Sequence, residues 1–153
     1  RPTLALVQGA AFGGGCGIVC CVDVALAGPE AIFGLTEVRV GVAPTPISTH
    51  MVHAMGFRQA RRYAVTGERF DAAEAMRIGL VHEVVPADRI EARLAAVLEE
   101  VLLAAPGAAA VTKASMLGAN GLTLDRRAME SLAQEGWEGL AAFRAKRRPA
   151  WFG

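Results

Sequence analysis

The sequence predicts a mixed α/β fold in which a buried sheet is followed by a helical C-terminal half. The first third of the chain contains short apolar runs rich in strand-forming residues, with a glycine-rich turn and a helix-forming run between them. That order of strand, turn, helix and strand is typical of a sheet with helices packed against it. From Ile47 onward, apolar residues recur three or four positions apart, which indicates amphipathic helices.

The elements can be placed in order from their apolar spacing and from the residues that bound them. The expected strands are short apolar runs next to proline or glycine, and they cover residues 3–8, 22–27, 31–34 and 80–85. The expected helices cover residues 16–21, 47–55, 58–65, 71–78 and 90–104, a segment that starts at 106, and a last helix from 123 to 147.

Several helix ends carry recognisable signals. Gly56 and Gly67 each close a helix, because glycine readily adopts the left-handed conformation of a C-terminal cap. Asp71 is the expected N-cap of the helix that follows it, and Glu74 stands three residues later, as in a capping box. Thr123 is the expected N-cap of the last helix.

The composition excludes several classes of protein. Of the 153 residues, 53% are hydrophobic and 20% are charged, which is typical of a globular domain or part of one, and not of a disordered segment or a coiled coil. A net charge of +1 gives no general case for nucleic-acid binding. No apolar stretch reaches the roughly 20 residues that a membrane span requires. We therefore expect a cytoplasmic protein with neither a nucleic-acid nor a membrane partner.

The three cysteines, Cys16, Cys20 and Cys21, lie close together in the sequence. An odd number of cysteines in one short segment does not make a disulfide framework, and the spacing does not match a common zinc site. We expect buried free thiols in a reducing compartment and no metal site.

The stretch GAAFGGGCG, residues 9–17, joins the first strand to the first helix. A strand that passes through glycines into a helix directs several unpaired backbone N–H groups toward one point. Together with the helix dipole, these groups stabilise negative charge, either a phosphate or a developing oxyanion. Close packing of the helix against the sheet is the alternative explanation. The spacing matches neither a dinucleotide-binding fingerprint nor a P-loop.

Glu37 is an isolated carboxylate between apolar residues, just after a short strand. A carboxyl group in such a place is suited to general acid/base catalysis. The alternative is a surface glutamate that pairs with Arg39 or Arg58. The residues alone leave both interpretations open.

Three stretches resemble the enoyl-CoA hydratase/isomerase (crotonase) superfamily: VQGAAFGGGCGIVCCVDVALA, FGLTEVRVGVAP and YAVTGERFDAAEAMRIGLVHEVVP. The segment GLAAF at residues 139–143, with the basic residues and proline after it, is similar to the family's C-terminal helix and tail. The resemblance implies the C-terminal part of a β-β-α spiral core over residues 1–104. It also implies a helical region for trimerisation and for covering CoA over residues 105–153.

The resemblance also implies roles for individual residues. Gly14 would donate one oxyanion-hole N–H to the thioester carbonyl, and Glu37 would be the general acid/base. The other substrate-binding positions would be Phe12, Gly13, Gly15, Gly17, Leu35, Pro44 and Ile47. Phe143, Lys146 and Arg147 would contact CoA, although a solvated helix end explains the two basic residues equally well.

The sequence departs from the family pattern at two places. Two-carboxylate hydratases of the family carry a glutamate where this chain has Gly17. Many members have a PGxGGTQ segment where this chain reads PTPISTH, residues 44–50. The stretch FGLTEVR, Pro44 with Ile47-Ser48, and residues 60–86 resemble bacterial 3-methylglutaconyl-CoA hydratases and related hydratases of acyclic terpene degradation, although that subgroup has a PAVISPY-like stretch in place of PTPISTH. Substrates of that kind carry a second carboxylate. The candidates to bind it are Ser48, Thr49, His50 and His53, for each of which an ordinary surface or packing role is the alternative.

The resemblance implies an enoyl-CoA hydratase with one catalytic carboxylate, acting on a branched or carboxylated substrate. The alternatives are a Δ3,Δ2-enoyl-CoA isomerase and a non-catalytic CoA-thioester-binding homologue. No cofactor is expected apart from the CoA of the substrate, and a homotrimer or a dimer of trimers is implied. Family members have a further region before the one that begins at Arg1, and it supplies the second oxyanion donor. We therefore expect the isolated chain to be inactive.

Overall fold

The computed structural model describes residues 1–118 and 123–153. The described strands are β1 Leu4–Val7, β2 Ala10–Phe12, β3 Val24–Ala27, β4 Ile32–Gly34, β5 Arg69–Asp71 and β6 Glu83–Val84. The described α-helices are α1 Gly14–Cys21, α2 Ser48–Thr66, α3 Ala72–Arg77, α4 Ile90–Leu103, α5 Pro106–Met116 and α6 Arg126–Ala145. The chain divides into two compact units, residues 3–93 and residues 94–153 with 1–2.

The strands of the first unit form two three-stranded sheets. One sheet has the order β1-β3-β6 and is parallel throughout, with Leu4 opposite Val24 and Leu26 opposite Glu83. The other has the order β2-β4-β5, in which β2 and β4 are parallel and β4 and β5 are antiparallel. The mixed α/β fold predicted from the sequence is thus confirmed.

The core of the first unit is built from the inward residues of both sheets and from the helices that cover them. Phe33 and Leu35 are completely buried, and Tyr63 is almost so. The Phe33 ring stacks on Phe70 with 5.8 Å between the ring centroids, and Tyr63 tilts against Phe70 at 4.2 Å. Since aromatic side chains bury large apolar areas, this group fixes β4, α2 and β5 around one centre.

All four predicted strands are present, with ends that differ by a few residues, but two further strands were missed. β2 and β5 have three residues each, too few to show an alternating pattern in the sequence. Residues 10–12, predicted to be part of a turn, form β2 because they pair with β4. Residues 36–40, which were assigned to neither a helix nor a strand from the sequence, form a 3-10 helix.

The predicted helix boundaries are largely confirmed. Gly56 interrupts α2 with a non-helical φ of 74°, and the Asp71 carboxylate caps α3 by accepting a 2.8 Å hydrogen bond from the Glu74 N–H. Thr123 was the wrong N-cap for α6. Asp125 caps that helix instead, since its carboxylate lies three residues before Ala128 and accepts the Ala128 N–H at 2.7 Å.

The second unit is helical in the residues that the structure describes. The Glu135 carboxylate of α6 accepts hydrogen bonds from the N–H groups of Gly107 and Ala108 at 2.9 Å each, and so satisfies the free N-terminal amides of α5. The Trp151 indole donates to the Leu103 carbonyl. No single described helix has the length and apolar composition to cross a membrane; α4 and α5 meet that test only as a pair, bent by 101°.

Candidate active site

The glycine turn joins β2 to α1 through one residue in an unusual conformation. Gly13 has φ 55° and ψ −125°, and its N–H donates to the Gly34 carbonyl of the neighbouring strand at 2.9 Å. Gly14 and Gly15 then open α1, are exposed, and would have nothing within 4 Å of an added Cβ. The turn therefore presents first-turn N–H groups on an open surface, where the helix dipole favours negative charge.

Glu37 lies directly over this turn. A Cβ placed on Gly13 would stand 3.2 Å from the Glu37 Oε1 and 3.4 Å from its Cδ. The Glu37 Oε2 is buried and has no hydrogen-bond partner among the described residues. A buried carboxylate oxygen without a partner is costly, and this oxygen is free to accept a proton or a hydrogen bond.

The alternative interpretation of Glu37 as half of a surface ion pair finds no support in the described part of the chain. Its buried oxygen receives no hydrogen bond from Arg39 or from Arg58. The Arg39 side chain instead packs at Gly67, where its Cγ would lie 3.0 Å from an added Cβ.

Gly17 is the position at which the sequence departs from the two-carboxylate pattern, and its surroundings explain the small residue. It is buried, and a Cβ there would stand only 2.7 Å from the Cγ2 of Ile47. The space beside Gly17 is thus already filled by a branched apolar side chain.

A glycine turn that offers backbone donors and a carboxylate with an unpaired oxygen can act together on a carbonyl compound. The amide groups can stabilise an enolate oxygen, while the carboxylate moves a proton at a neighbouring carbon or from a water molecule. A sequence profile of the enoyl-CoA hydratase/isomerase family matches residues 1–153.

The chain belongs to this family.

Individual family members agree with this assignment. A Mycobacterium tuberculosis protein described as "Probable enoyl-CoA hydratase echA8" is 37% identical, covering 97% of this chain and 61% of that protein. The crystal structure of an enoyl-CoA hydratase/isomerase from Marinobacter aquaeolei has a TM-score of 0.83 and 39% identity, covering 98% of this chain and 60% of the other. The structure of Pseudomonas aeruginosa AtuE has a TM-score of 0.84 and 42% identity, covering 98% and 62%. The chain thus spans about three fifths of the length of these relatives.

The other family positions named from the sequence lie around the turn in different ways. Phe12 is half-buried beneath the Arg69 guanidinium, 4.7 Å from the ring centroid, and Pro44 and Ile47 are half-buried at either end of a short 3-10 turn. Leu35 is completely buried, so its side chain packs in the core and offers no surface to a ligand. That Leu35 belongs to the substrate-binding positions stays a prediction.

The polar candidates Ser48, Thr49, His50 and His53 do not donate a hydrogen bond to the buried Glu37 Oε2. The Ser48 hydroxyl donates to the Thr45 carbonyl at 2.9 Å, and His50 is exposed. His53 lines a separate cavity of about 270 Å³ with Cys20, Asp23 and His82, which Glu37 does not line. No group of three or more side chains suited to hold a metal ion occurs in the part of the chain that the structure describes.

The cysteines are free thiols with different surroundings. Cys16 is completely buried, Cys20 is half-buried, and Cys21 is exposed, so the prediction of buried thiols is wrong for Cys21. The hydrogen bond to Cys16 and the burial of Cys20 raise the pKa of the Cys20 thiol, which keeps its proton. The same hydrogen bond with Cys20 lowers the pKa of the Cys16 thiol.

The C-terminal candidates belong to the second unit. Phe143 is 83% exposed, and Lys146 ends α6 in a left-handed conformation with φ 51°. Arg147 is already paired with Glu138 through two hydrogen bonds of 2.7 and 3.0 Å, and these bonds, with one from the Ala150 N–H, lower the pKa of Glu138 to about 2. Arg147 is therefore less available to a phosphate than the sequence indicated.

The contribution of Gly34 was not predicted from the sequence. Its carbonyl holds Gly13 in place, and its lack of a side chain lets β2 and β4 approach, since a Cβ there would lie 3.3 Å from Thr36 and 3.4 Å from Phe12. The only signal for this role was a glycine at the end of a predicted strand.

Proposed function

We propose that the intact protein is an enoyl-CoA hydratase in which Glu37 is the single catalytic carboxylate. The observation that carries this proposal is the Glu37 carboxylate, which lies over the Gly13 turn with its Oε2 buried and unpaired. Membership of the enoyl-CoA hydratase/isomerase family supports the substrate class, an enoyl-CoA thioester.

In the proposed reaction the thioester carbonyl lies against the turn. The Gly14 N–H donates a hydrogen bond to the carbonyl oxygen, which makes C3 electrophilic and stabilises the enolate. Glu37 removes a proton from a water molecule while the water oxygen bonds to C3. The protonated Glu37, or solvent, then gives a proton to C2, because Gly17 leaves no second carboxylate on this face. The sum is one water added across the C2–C3 double bond.

The substrate class is proposed more narrowly from the sequence. Similarity of FGLTEVR, of Pro44 with Ile47-Ser48, and of residues 60–86 to bacterial 3-methylglutaconyl-CoA hydratases favours a branched or carboxylated enoyl group. None of the polar side chains of the 44–50 segment donates a hydrogen bond to the buried Glu37 Oε2, and we leave the residue that would bind a second carboxylate unassigned.

Isomerisation of a 3-enoyl-CoA to a 2-enoyl-CoA is the second candidate. It requires one base that removes a proton from C2 and returns it to C4, and the isolated Glu37 carboxylate suits that role as well. A non-catalytic protein that binds CoA thioesters is the third candidate.

The remaining properties are proposed on the family resemblance. We propose that no cofactor is needed beyond the CoA of the substrate, that the protein is cytoplasmic, and that neither nucleic acid nor a membrane is a partner. A homotrimer or a dimer of trimers is proposed as the assembly. Exposure of the large side chains Trp137, Leu140 and Phe143 along α6 supports association through this helix.

The test compares wild type, Glu37→Gln and Glu30→Gln, the last being an exposed glutamate of the same unit. Hydration is followed as the loss of the ultraviolet absorbance of the enoyl thioester, with crotonyl-CoA and 3-methylglutaconyl-CoA as substrates. Isomerisation is followed as the gain of the same absorbance, with a 3-enoyl-CoA as substrate. We expect hydration that falls about 10²–10⁴-fold in Glu37→Gln and is unchanged in Glu30→Gln. Isomerisation without hydration would favour the second candidate, and binding without turnover the third.

A further inference from the structure

Two side chains lie against the N-terminal part of α1 and the residue before it. Gly13 and Gly17 are four positions apart and are joined by a 3.0 Å hydrogen bond from the Gly17 N–H to the Gly13 carbonyl. Glu37 lies against the first glycine and Ile47 against the second. The glycine that meets the carboxylate is thus followed, four residues later, by a glycine that meets the apolar side chain of Ile47.

The fit between Gly17 and Ile47 leaves no room for any side chain at position 17. An added Cβ would lie 2.7 Å from Ile47 Cγ2 and 3.1 Å from both Cβ and Cδ1. Carbon atoms in contact normally stay about 3.5–4.0 Å apart, so three atoms of one side chain would be too close.

Ile47 cannot easily move away. It is half-buried, packs against the hydrophobic core, and ends the 3-10 turn Thr45–Ile47, where its N–H donates to the Pro44 carbonyl. Its branched Cβ also restricts rotation about χ1. The overlap would therefore have to be relieved by a shift of the backbone.

We propose that Ile47 determines the specificity of this site: it fills the volume beside Gly17, limits the site to one carboxylate, and forms the apolar wall against which the acyl group packs. This inference rests on the proposed function, because it assigns the wall to the acyl group of the same substrate. It predicts that positions 17 and 47 are coupled, so that a side chain can enter at 17 only when the one at 47 is shortened.

The first arm of the test is a double-mutant cycle on the intact protein, read by thermal unfolding. Gly17→Ala is expected to lower Tm by about 5 °C or more, as for a small overpacking change in a core. Gly17→Ala combined with Ile47→Ala should have a Tm at or above that of Ile47→Ala alone. The matched control is Gly15→Ala on the same helix, where an added Cβ meets nothing within 4 Å. If the decrease in Tm of the double variant equals the sum of the decreases in the two single variants, positions 17 and 47 are not coupled and the inference is overturned.

The second arm measures selectivity. The ratio of kcat/KM for a 3-methyl-branched 2-enoyl-CoA to that for crotonyl-CoA is compared in wild type, Ile47→Ala and the exposed control Val65→Ala. We expect Ile47→Ala to shift the ratio toward the bulkier acyl group by about tenfold or more, since each methylene in an apolar pocket gives 10–200-fold discrimination. An unchanged ratio would overturn the specificity role.

The two arms separate failure of this inference from failure of the proposed function. If wild type hydrates neither thioester, the hydratase proposal fails, and selectivity is then read from the Kd values of butyryl-CoA and 3-methylbutyryl-CoA. A shift of the ratio of these two Kd values in Ile47→Ala would support the contact between Ile47 and the acyl group. An unchanged ratio would refute that contact. The melting cycle decides the steric coupling whether or not the protein is active.

Discussion

Alanine at position 13 tests the link between the glycine turn and the carboxylate above it. Gly13 has φ 55° and ψ −125°, a conformation that a residue with a Cβ adopts only under strain. Strain of this kind costs about 1–3 kcal/mol. The new Cβ would also press on Glu37 from 3.2 Å, so the carboxylate would have to move by a few tenths of an ångström.

Alanine at position 15 is the matched comparison. Gly15 lies in the first turn of the same helix, has no positive φ, and would have an open space around its Cβ. Alanine in a helix is favoured over glycine by about 0.5–1 kcal/mol. The two variants should therefore differ in the free energy of unfolding by about 2–4 kcal/mol, and only one of them crowds Glu37.

Thermal unfolding of the intact protein measures the difference. At about 2–4 °C per kcal/mol for a chain of this size, Gly13→Ala should unfold about 5–15 °C below Gly15→Ala. Its activity should also fall, by up to about 100-fold, because small displacements of a catalytic group carry large penalties. Equal melting temperatures for the two variants would refute the strain assigned to position 13, and full activity of Gly13→Ala would refute the link between this turn and the position of Glu37.

Three further predictions concern the first unit. Asp71→Ala removes the side-chain cap of α3 and should lower the free energy of unfolding by about 1 kcal/mol, as measured by urea denaturation. Asp71→Asn should keep most of this stability, because asparagine is also a good N-cap. Phe33→Ala leaves a cavity at a completely buried position and should lower the free energy of unfolding by about 3–5 kcal/mol. A decrease of less than about 1 kcal/mol would contradict the place of Phe33 in the core. Hydrogen bonds from Arg77 and from Tyr63 lower the pKa of Glu74 from 4.5 to about 2. The stabilisation it supplies is present above pH 4.5 and lost as the pH falls toward 2, so Glu74→Gln should flatten the pH dependence of the urea midpoint in that range.

Local signals in the sequence were enough for most of the secondary structure. Glycine at 56 and aspartate at 71 act through their own backbone or their nearest neighbours, so their effects can be predicted without the fold. The last helix shows the limit of such reasoning. Thr123 and Asp125 are both good N-caps, and the bond to Ala128 selects Asp125.

The short strands could not be predicted for a physical reason. β2 and β5 hold only three residues each and exist because both pair with β4, one parallel and one antiparallel. Phe70 of β5 pairs with Phe33, which lies far away in the sequence. Contacts of this kind leave no periodic pattern in either segment.

The sequence by itself determined the family, the α/β character and the two parts of the candidate site, because the glycine turn and Glu37 stand in recognisable motifs. It left open whether Glu37 was a surface ion pair or an isolated carboxylate. The tertiary structure decided that point by placing the carboxylate on Gly13 with a buried oxygen unpaired. It also gave the reason for Gly17, since the side chain that fills its space belongs to Ile47, thirty positions further along the chain. Which atoms share a volume depends on how distant segments pack, and packing is a property of the folded chain.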